Sequence, residues 1–290
     1  MKRELHFWVL GGDLRQGKLA ELLLEDGHTV DVFCMEHLPE GGRLTCRDSL
    51  KGIGKADCVV LPLPVAGEDG MIHAPLSDRK LPLTAVLDEL SPEQVICAGR
   101  VTPEAAAQAN ARGLILRDYL AREELAVANA VPTAEGAIQI AMEELPTTLY
   151  DARVLVIGFG RIGKLLAHRL TGLGARVTVS ARTYEDLAWI EAYGYGSEQT
   201  DELEGWLCGY DLVINTVPAP VLTGPLLADL APGCLVIDLA SRPGGVDFEA
   251  AARLGVKAIW ALSLPGKVAP VTSGKIIRDT IYHMLQELGE

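Results

Sequence analysis

The stretch R-V-L-V-I-G-F-G-R-I-G, residues 153–163, decides the fold. It places the spacing G-x-G-x-x-G directly after an apolar strand-like run and at the start of an amphipathic segment. Gly158 permits a tight turn, Gly160 lets the main chain approach a pyrophosphate, and Gly163 lets the helix pack close to the strand. The N-terminus of that helix faces the phosphates, so the stretch predicts a dinucleotide site. A purely structural glycine turn is the alternative.

The end of the next strand indicates which dinucleotide fits. NAD-binding domains carry a carboxylate about 20 residues after the turn, where it holds the ribose 2′-OH. Here the segment is V-T-V-S-A-R (177–182), and Ser180 stands where we expect that carboxylate. A hydroxyl at Ser180 and a guanidinium at Arg182 suit a 2′-phosphate. The sequence therefore favours NADP over NAD, the alternative being a solvated Arg182 beside a pocket that does not discriminate.

Short apolar runs alternate with amphipathic segments along the whole chain, a pattern typical of a parallel sheet wound with helices. The predicted strands lie near 5–10, 29–33, 57–62, 94–98, 114–117, 153–157, 176–180, 211–215, 234–238 and 256–260. The predicted helices lie near 14–26, 82–90, 103–112, 161–172, 184–193, 223–230 and 247–253. The class is α/β.

The two halves of the chain repeat each other. Strand, glycine turn and helix at 5–26 recur at 153–172, and A-D-C-V-V-L-P-L-P (56–64) corresponds to Y-D-L-V-I-N-T-V-P (210–218). This repetition predicts two tandem doubly wound, Rossmann-like parallel-sheet domains with an interdomain cleft and linking helices. A cleft between two such domains is a common place for a substrate.

The predicted organisation has four parts. Their ranges are 1–128 for an N-terminal Rossmann-like substrate domain, 129–150 for an interdomain linker helix, 151–270 for an NADP-binding Rossmann domain, and 271–290 for a C-terminal helix that returns toward the first domain. The linker helix is expected over 129–145, preceded by Asn129 and by Pro132-Thr133.

Composition narrows the classes of partner. Lys and Arg total 26 against 39 Asp and Glu, a net charge of −13, and no segment concentrates basic residues, so nucleic acid and anionic membrane surfaces are not expected partners. Neither a bilayer span nor a signal peptide is expected, because the apolar runs are too short. Six cysteines without C-x-x-C spacing indicate free thiols in the cytoplasm, and the six scattered histidines predict no metal site.

The first-domain turn G-G-D-L-R-Q (11–16) follows a strand but lacks the dinucleotide spacing. Its helix N-terminus suits an anion such as a carboxylate, and Asp13 with Arg15 adds polar specificity. The alternative is that Asp13 simply caps a helix that starts near Leu14. We expect Arg15 to bind substrate, and Asp13 to act as a proton acceptor if a cleft raises its pKa.

Further site residues are expected at the carboxyl edge of the second sheet and in the linker. D-L-A-S-R-P-G-G-V-D-F (238–248) follows a strand, and Ser241 and Arg242 are predicted to bind substrate. In the linker, Thr133 is a candidate substrate ligand and Glu135 a second candidate proton acceptor, with helix capping as the alternative. The expected cofactor-binding residues are Gly158, Phe159, Gly160, Arg161, Ile162, Gly163, Ser180, Arg182, Thr216, Val217, Pro218, Asp238 and Leu239.

Taken together, several stretches resemble the A subunit of dipicolinate synthase over essentially the whole chain. They are G-G-D-L-R-Q, N-A-V-P-T-A-E-G (129–136), V-I-G-F-G-R-I-G (156–163), S-A-R (180–182), D-L-A-S-R-P-G-G-V-D-F and L-P-G-K-V-A-P (264–270). The last two discriminate far better than the nucleotide fingerprint. The fourth position of L-P-G-x-V-A-P is free in that family, so Lys267 inherits no role.

The resemblance implies an NADP-dependent sporulation enzyme on a branch of the lysine pathway. It implies oxidation, with dehydration, of 4-hydroxy-tetrahydrodipicolinate, a small dicarboxylate, to pyridine-2,6-dicarboxylate (dipicolinate). It also implies a flavoprotein-like second subunit of dipicolinate synthase as the partner, and the cytoplasm of the mother cell as the location. We expect the chain to form a homo-oligomer. The residues by themselves support a two-domain NADP-dependent oxidoreductase with an anion-binding cleft.

Three other interpretations remain open. A D-2-hydroxyacid dehydrogenase would use a histidine late in the chain, yet S-L-P-G-K-V-A-P (263–270) has none and His283 belongs to the final helix. A shikimate dehydrogenase would need a lysine–aspartate pair in the first domain, and the lysines there stand in no such context. A non-catalytic, NADP-binding regulatory role is the third interpretation, because the sequence identifies no certain acid or base.

Overall fold

The computed structural model describes residues 3–39 and 44–289, so the first and last residues of the predicted domain ranges, 1 and 290, lie outside it. The chain divides into two compact units, Met1–Asn129 with Ala269–Glu290, and Ala130–Val268. Each unit holds one sheet in which all strand pairs are parallel, of five strands in the first and six in the second. The predicted pair of Rossmann-like α/β domains is confirmed.

The first unit contains a sheet of order β2-β1-β3-β4-β5. Its strands are β1 (His6–Leu10), β2 (Thr29–Phe33), β3 (Cys58–Val60), β4 (Val95–Ala98) and β5 (Leu116–Asp118). Its helices are α1 (Leu14–Glu25), α2 (Leu83–Leu87), α3 (Pro103–Asn110) and the last helix of the chain, α10 (Pro270–Leu288). Helix α10 packs on α1, where an added Cβ at Gly274 would lie 2.9 Å from the backbone of Arg15.

The second unit contains a sheet of order β11-β10-β9-β6-β7-β8. Its strands are β6 (Arg153–Ile157), β7 (Arg176–Ala181), β8 (Gly196–Gln199), β9 (Leu212–Asn215), β10 (Leu235–Asp238) and β11 (Lys257–Trp260). Its helices are α5 (Arg161–Gly172), α6 (Tyr184–Ala192), α7 (Gly224–Ala228), α8 (Phe248–Leu254) and α9 (Leu264–Val268). Helix α4 (Glu123–Glu144) contains the boundary between the two units.

Both sheets are buried on their two faces, which explains the nearly continuous apolar runs in the sequence. Successive residues of β6 alternate between two cores, with Val154 and Val156 in one and Leu155 and Ile157 in the other. Strand β1 divides its residues in the same way. None of the described helices has both the length and the apolar character that a membrane span needs.

In each sheet the chain adds strands first on one side of a central strand and then on the other. Ligands bind in open α/β sheets at this change of winding direction. In the first unit the chain leaves β1 toward β2 on one side, and β3 lies on the other side. In the second unit β6 is flanked in the same way by β7 and β9. The loops that follow β1 and β3, and those that follow β6 and β9, are therefore the expected places for ligands.

The structure differs from the predicted elements in three places. Helix α4 begins at Glu123 rather than at 129 and contains Pro132 in its interior. Residues 264–268 form a short helix, α9, that was not predicted, and α10 follows it with Pro270 at the first helical position. Strand β8 was not predicted, because G-S-E-Q carries no apolar alternation and is defined only by its pairing with β7.

Candidate functional site

A cleft of about 650 Å³ lies at the direction change of the second sheet. It is bordered by the turn after β6, by the loop after β9, and by the residues that follow β7. The lining residues are Gly158, Phe159, Gly160, Ala181, Arg182, Thr183, Asp186, Thr200, Asp201, Thr216, Val217, Pro218, Ala219, Pro220, Val221, Thr223 and Leu226. The predicted glycine turn and the predicted Thr216–Pro218 segment therefore lie on one cleft.

The three glycines of the turn meet different steric demands. Gly158 adopts φ +99°, and an added Cβ would lie 2.9 Å from Val217 Cγ2. A Cβ at Gly163 would overlap the carbonyl oxygen of Gly158, so helix α5 can approach the turn only with glycine there. Gly160, in contrast, has no heavy atom within 4 Å of an added Cβ. The main chain at Gly160 is thus open to a ligand at the N-terminus of α5.

The neighbours of these glycines take different positions. Phe159 is almost fully buried while it lines the cleft, and the ammonium of Lys164 lies 5.0 Å from its ring centroid. Arg161 is exposed at the start of α5, and Ile162 is half-buried against the core of the unit. Neither Arg161 nor Ile162 lines the cleft.

The loop after β9 is fastened by a buried amide and a buried carboxylate. Asn215 donates from Nδ2 to the Val217 carbonyl at 3.0 Å and to Asp238 Oδ1 at 2.8 Å. Asp238 also accepts from the backbone N–H groups of Ala240 and Gly245, at 3.0 and 2.8 Å. Its oxygens are therefore occupied by the protein, and the predicted cofactor contacts of Asp238 and of the buried Leu239 need correction. Asp238 shapes the cleft rather than lining it.

The predicted role of Ser180 as a phosphate ligand also needs correction. Its side chain is fully buried, and its Oγ accepts a hydrogen bond from Thr200 Oγ1 at 3.1 Å. Strand β7 ends one residue later, at Ala181, which does line the cleft. The residue at the cleft end of β7 is therefore an alanine, and not a carboxylate.

Arg182 follows Ala181 and is exposed on the cleft. Within the described part of the chain, its guanidinium has no carboxylate partner. Two aspartates, Asp186 and Asp201, also line the cleft, and Asp186 Oδ2 accepts from Thr183 Oγ1 at 2.9 Å. Arg182 is thus the group that can offset their negative charge for an incoming phosphate.

The first unit carries a polar cluster at the direction change of its own sheet. Asp13 caps α1 by accepting from the Arg15 backbone N–H at 3.0 Å. The Arg15 guanidinium also donates to both Asp13 oxygens, at 2.9 Å from Nε to Oδ1 and 2.8 Å from Nη2 to Oδ2. Burial raises the pKa of Asp13, but the hydrogen bonds and charge of Arg15, with a smaller effect of His73, lower it below its ordinary 3.8. The expectation of a raised pKa for Asp13 was wrong.

A buried chain of hydrogen bonds joins the turn after β1 to the end of β3. Gln16 Nε2 donates to the Tyr119 hydroxyl at 3.0 Å, and that hydroxyl donates to the Leu61 carbonyl at 3.2 Å. Gly99 leaves room for the ring, because an added Cβ there would lie 2.7 Å from the Tyr119 hydroxyl. These contacts fix the two loops that border the cluster.

His73 is the residue at this cluster that sequence reasoning missed. Its backbone carbonyl accepts from the Gly12 N–H at 2.7 Å, which fastens the segment Ile72–Ala74 to the turn. Asp13 and Arg15 both act electrostatically on its imidazole. The only signal in the sequence was its place downstream of β3, because the segment has no periodicity that would assign it to a neighbour.

The linker candidates lie in α4. Thr133 is half-buried. Glu135 is 59% exposed and lies 3.6 Å from Arg169 Nη2, within the second unit. The shielded environment that a proton-accepting role for Glu135 requires is therefore not found in this unit.

Ser241 and Arg242 are both exposed in the turn after β10. Among residues 3–39 and 44–289, no acidic side chain pairs with Arg242. Nearby, Trp260 Nε1 donates to the Ala240 carbonyl at 2.9 Å, which holds the start of this turn. The Arg242 guanidinium is thus available to an anion.

Comparisons with known proteins match the two halves of the chain to two different families. Residues 6–120 match the family described as the N-terminal domain of the dipicolinate synthase A subunit. Residues 120–242 match the D-isomer specific 2-hydroxyacid dehydrogenase, NAD binding domain. The A subunit of dipicolinate synthase from Bacillus subtilis (strain 168) is 33% identical over 286 residues, which cover 97% of this chain and 95% of that protein.

Solved structures extend the similarity to three dimensions. The crystal structure of the dipicolinate synthase A chain from Bacillus subtilis superimposes with a TM-score of 0.88 at 32% identity, covering 100% of this chain and 98% of that one. The crystal structure of the corresponding dipicolinate synthase chain from Bacillus halodurans gives 0.89 at 30% identity, covering 97% of both chains.

Proposed function

Because the chain belongs to the family of the dipicolinate synthase A subunit, we propose that it oxidises the dehydrated form of 4-hydroxy-tetrahydrodipicolinate to pyridine-2,6-dicarboxylate with NADP. The observation that carries this proposal is the pairing, in one chain, of an open glycine turn beside Arg182 with an Asp13–Arg15–His73 cluster. The glycine turn beside Arg182 suits a dinucleotide phosphate, and the polar cluster suits a small carboxylate. Each lies where its own sheet changes direction.

The proposed reaction follows from the chemistry of the substrate ring. Loss of water from the hydroxylated tetrahydropyridine gives a dihydropyridine, and removal of a hydride and a proton from that ring makes it aromatic. The nicotinamide, when bound, supplies the hydride acceptor. Aromaticity provides the thermodynamic drive, so the protein mainly has to position the ring and handle the proton.

The second unit supplies the residues that would hold the dinucleotide. The backbone at Gly160 and the N-terminus of α5 suit the pyrophosphate, since nothing fills the space there. Arg182 suits the 2′-phosphate, and the alanine at position 181 removes the carboxylate that would repel it. This pair of residues supports NADP rather than NAD.

A dianionic substrate needs local positive charge in a chain of net charge −13. In the first unit the N-terminus of α1 supplies that charge, together with Arg15, whose charge the bound Asp13 partly offsets. Arg242 and the Ser241 hydroxyl are the corresponding candidates in the second unit, and Thr133 a further one. Glu135 is a weaker candidate for proton transfer, because it is exposed and ion-paired.

The wider setting rests on the family resemblance. We propose that the enzyme works in the mother-cell cytoplasm during sporulation, on a branch of the lysine pathway. The flavoprotein-like second subunit of dipicolinate synthase is the proposed partner, and self-association of this chain into a homo-oligomer is part of the proposal.

The test is an assay with the full-length purified chain. The chain is mixed with NADP and the freshly generated condensation product of pyruvate and aspartate semialdehyde, and the ultraviolet absorbance of dipicolinate is followed with and without the flavoprotein-like partner. Dipicolinate formation with equimolar NADPH supports the proposal. NADP binding without product in either mixture would indicate a regulatory role, and reduction of a 2-oxo acid instead would indicate a D-2-hydroxyacid dehydrogenase.

A further inference from the structure

A buried carboxylate lies at the base of the turn after β10. Asp238, the last residue of that strand, is fully buried. Its Oδ1 accepts from the Ala240 N–H at 3.0 Å, and its Oδ2 accepts from the Gly245 N–H at 2.8 Å. The two oxygens of one carboxylate therefore hold both ends of the turn. We call residues 240–245 the Arg242 turn.

The same carboxylate fastens the Arg242 turn to the loop after β9, which lines the cleft of the second unit. Asp238 Oδ1 also accepts from Asn215 Nδ2 at 2.8 Å, and Asn215 exchanges two hydrogen bonds with Val217, at 3.0 and 3.1 Å. At the other end of that loop, the Val221 N–H donates to the Gly245 carbonyl at 3.0 Å. An added Cβ at Gly245 would lie 2.7 Å from the Val217 oxygen, so the two segments are in direct contact.

The outer part of the Arg242 turn presents polar groups to the solvent. Ser241 and Arg242 are exposed, and the Gly244 N–H donates to the Ser241 carbonyl at 2.8 Å. Within residues 3–39 and 44–289, neither the Ser241 hydroxyl nor the Arg242 guanidinium has a hydrogen-bond partner. A guanidinium binds a carboxylate by two parallel hydrogen bonds, and a fixed main chain reduces the orientations that it must lose on binding.

An amide at position 238 could not hold the turn in the same way. A carboxylate has two acceptor oxygens, and here they receive three N–H groups. Asparagine has one acceptor oxygen, and its NH₂ group would face an N–H donor. D238N therefore disturbs the Arg242 turn with almost no change in side-chain size.

We propose that Asp238 is a positioning residue for Arg242. It holds the Arg242 turn against the wall of the cleft, so that the guanidinium is oriented to bind a carboxylate of the substrate. This inference rests on the proposed function, in which Ser241 and Arg242 bind the dicarboxylate. Asp238 does not line the cleft and acts only through the turn.

The test is a double-mutant cycle on the full-length chain, with D238N, R242Q and the double variant. Affinity for pyridine-2,6-dicarboxylate is titrated at saturating NADP, and kcat/KM is measured alongside. We expect D238N to lower kcat/KM about 10²-fold and the dianion affinity at least about tenfold, because a group that holds the substrate is misplaced. In the R242Q background D238N should change neither value by more than about twofold, because the group that Asp238 positions is gone.

Asp211 provides a matched control. It precedes β9 at the opposite edge of the same sheet, and it also accepts from a backbone N–H, that of Arg153 at 2.8 Å. D211N should keep the dianion affinity and kcat/KM of the wild type. Denaturant unfolding is measured for every variant. The stability lost in D238N should be equal in the wild-type and R242Q backgrounds, because a purely structural effect does not depend on the guanidinium.

W260F repeats the cycle with a milder change. Trp260 Nε1 donates to the Ala240 carbonyl at 2.9 Å, and its ring stacks on Phe248 with centroids 5.4 Å apart. Phenylalanine keeps an aromatic ring there but loses the hydrogen bond to the Arg242 turn. We expect about a threefold loss of dianion affinity that disappears in the R242Q background. This cycle decides the question if D238N does not fold.

The outcomes separate this inference from the proposed function. If the wild type makes dipicolinate, additive effects of D238N and R242Q, or wild-type dianion affinity in D238N, overturn the positioning role and leave the proposed function intact. An inactive wild type that binds the dianion and shows a non-additive cycle overturns the proposed reaction but supports the positioning role. An inactive wild type that does not bind the dianion overturns both.

Discussion

At the scale of single residues, the proposal that Arg182 selects NADP over NAD makes the first prediction. We expect R182A to lose a charge-assisted contact worth about 1.5–3 kcal/mol, so NADP affinity falls roughly 10- to 150-fold while NAD affinity barely changes. Titration of both dinucleotides against the purified variant measures this difference.

The chain offers a matched control for that measurement on the same strand. Arg176 begins β7, at the end away from the cleft, and pairs with Asp151 at 2.6 Å. R176A removes one positive charge from the same element and should leave both affinities unchanged. Equal losses for NADP and NAD in R182A would contradict the 2′-phosphate assignment.

Single residues also show where sequence reasoning reaches its limit. The spacing of Gly158, Gly160 and Gly163 predicted the turn, because Gly158 and Gly163 each answer a local steric demand and Gly160 leaves the main chain uncovered. Ser180 was predicted as a ligand from spacing alone, and spacing does not show that its side chain is fully buried and hydrogen-bonded to Thr200. His73 was missed because its relation to Asp13 exists only in the folded unit.

At the scale of elements, two glycines in the turn from β6 into α5 allow folding stability and dinucleotide binding to be tested separately. G160V places a branched side chain in open space, so the variant should fold normally but lose dinucleotide binding. G163A drives a methyl group into the Gly158 carbonyl and should cost about 1–3 kcal/mol of folding stability. Denaturant unfolding and NADP titration distinguish the two effects.

Gly172, the last residue of α5, provides the control for both variants. No heavy atom lies within 4 Å of an added Cβ there, and the site is far along the helix from the turn. G172A should raise stability by about 0.5–1 kcal/mol, since alanine loses less chain entropy than glycine, and should leave binding unchanged. Normal NADP binding by G160V would place the dinucleotide elsewhere.

Elements were predicted well where burial dictates the sequence and poorly where it does not. The central strands read as apolar runs because both faces of each sheet are covered. Strand β8 is polar and is specified by its partner alone. Helix α4 continues through Pro132, although proline removes one helical hydrogen bond at a cost of about 3 kcal/mol. The predicted helix began too late because it was placed from local propensity alone.

At the scale of the whole molecule, the repeated plan was visible in the sequence because both sheets place a glycine turn after their first strand. Gly11 and Gly12 adopt φ values of +55° and +87°, and Gly158 adopts +99°. The two turns differ in what they leave open: a methyl group at Gly11 or Gly12 meets protein atoms, whereas one at Gly160 meets none. The residue that caps α1 is Asp13, whereas the one that caps α5 is Gly160, so of these two turns the second is the one that leaves its main chain open to a pyrophosphate.

The last prediction concerns how a chain of net negative charge would bind the proposed dicarboxylate substrate. The mean field of a chain with charge −13 repels a dianion, so productive binding needs a guanidinium whose planar fork holds a carboxylate by two hydrogen bonds. Arg242 is exposed after β10 and is one such group. R242K keeps the charge but loses the fork, so we expect turnover to fall at least about tenfold while NADP affinity stays within about twofold. R253K, on the exposed face of α8, is the control for the substitution itself. Wild-type turnover in R242K would mean that the carboxylates are held elsewhere, and the Asp13–Arg15 turn would then be the first place to test.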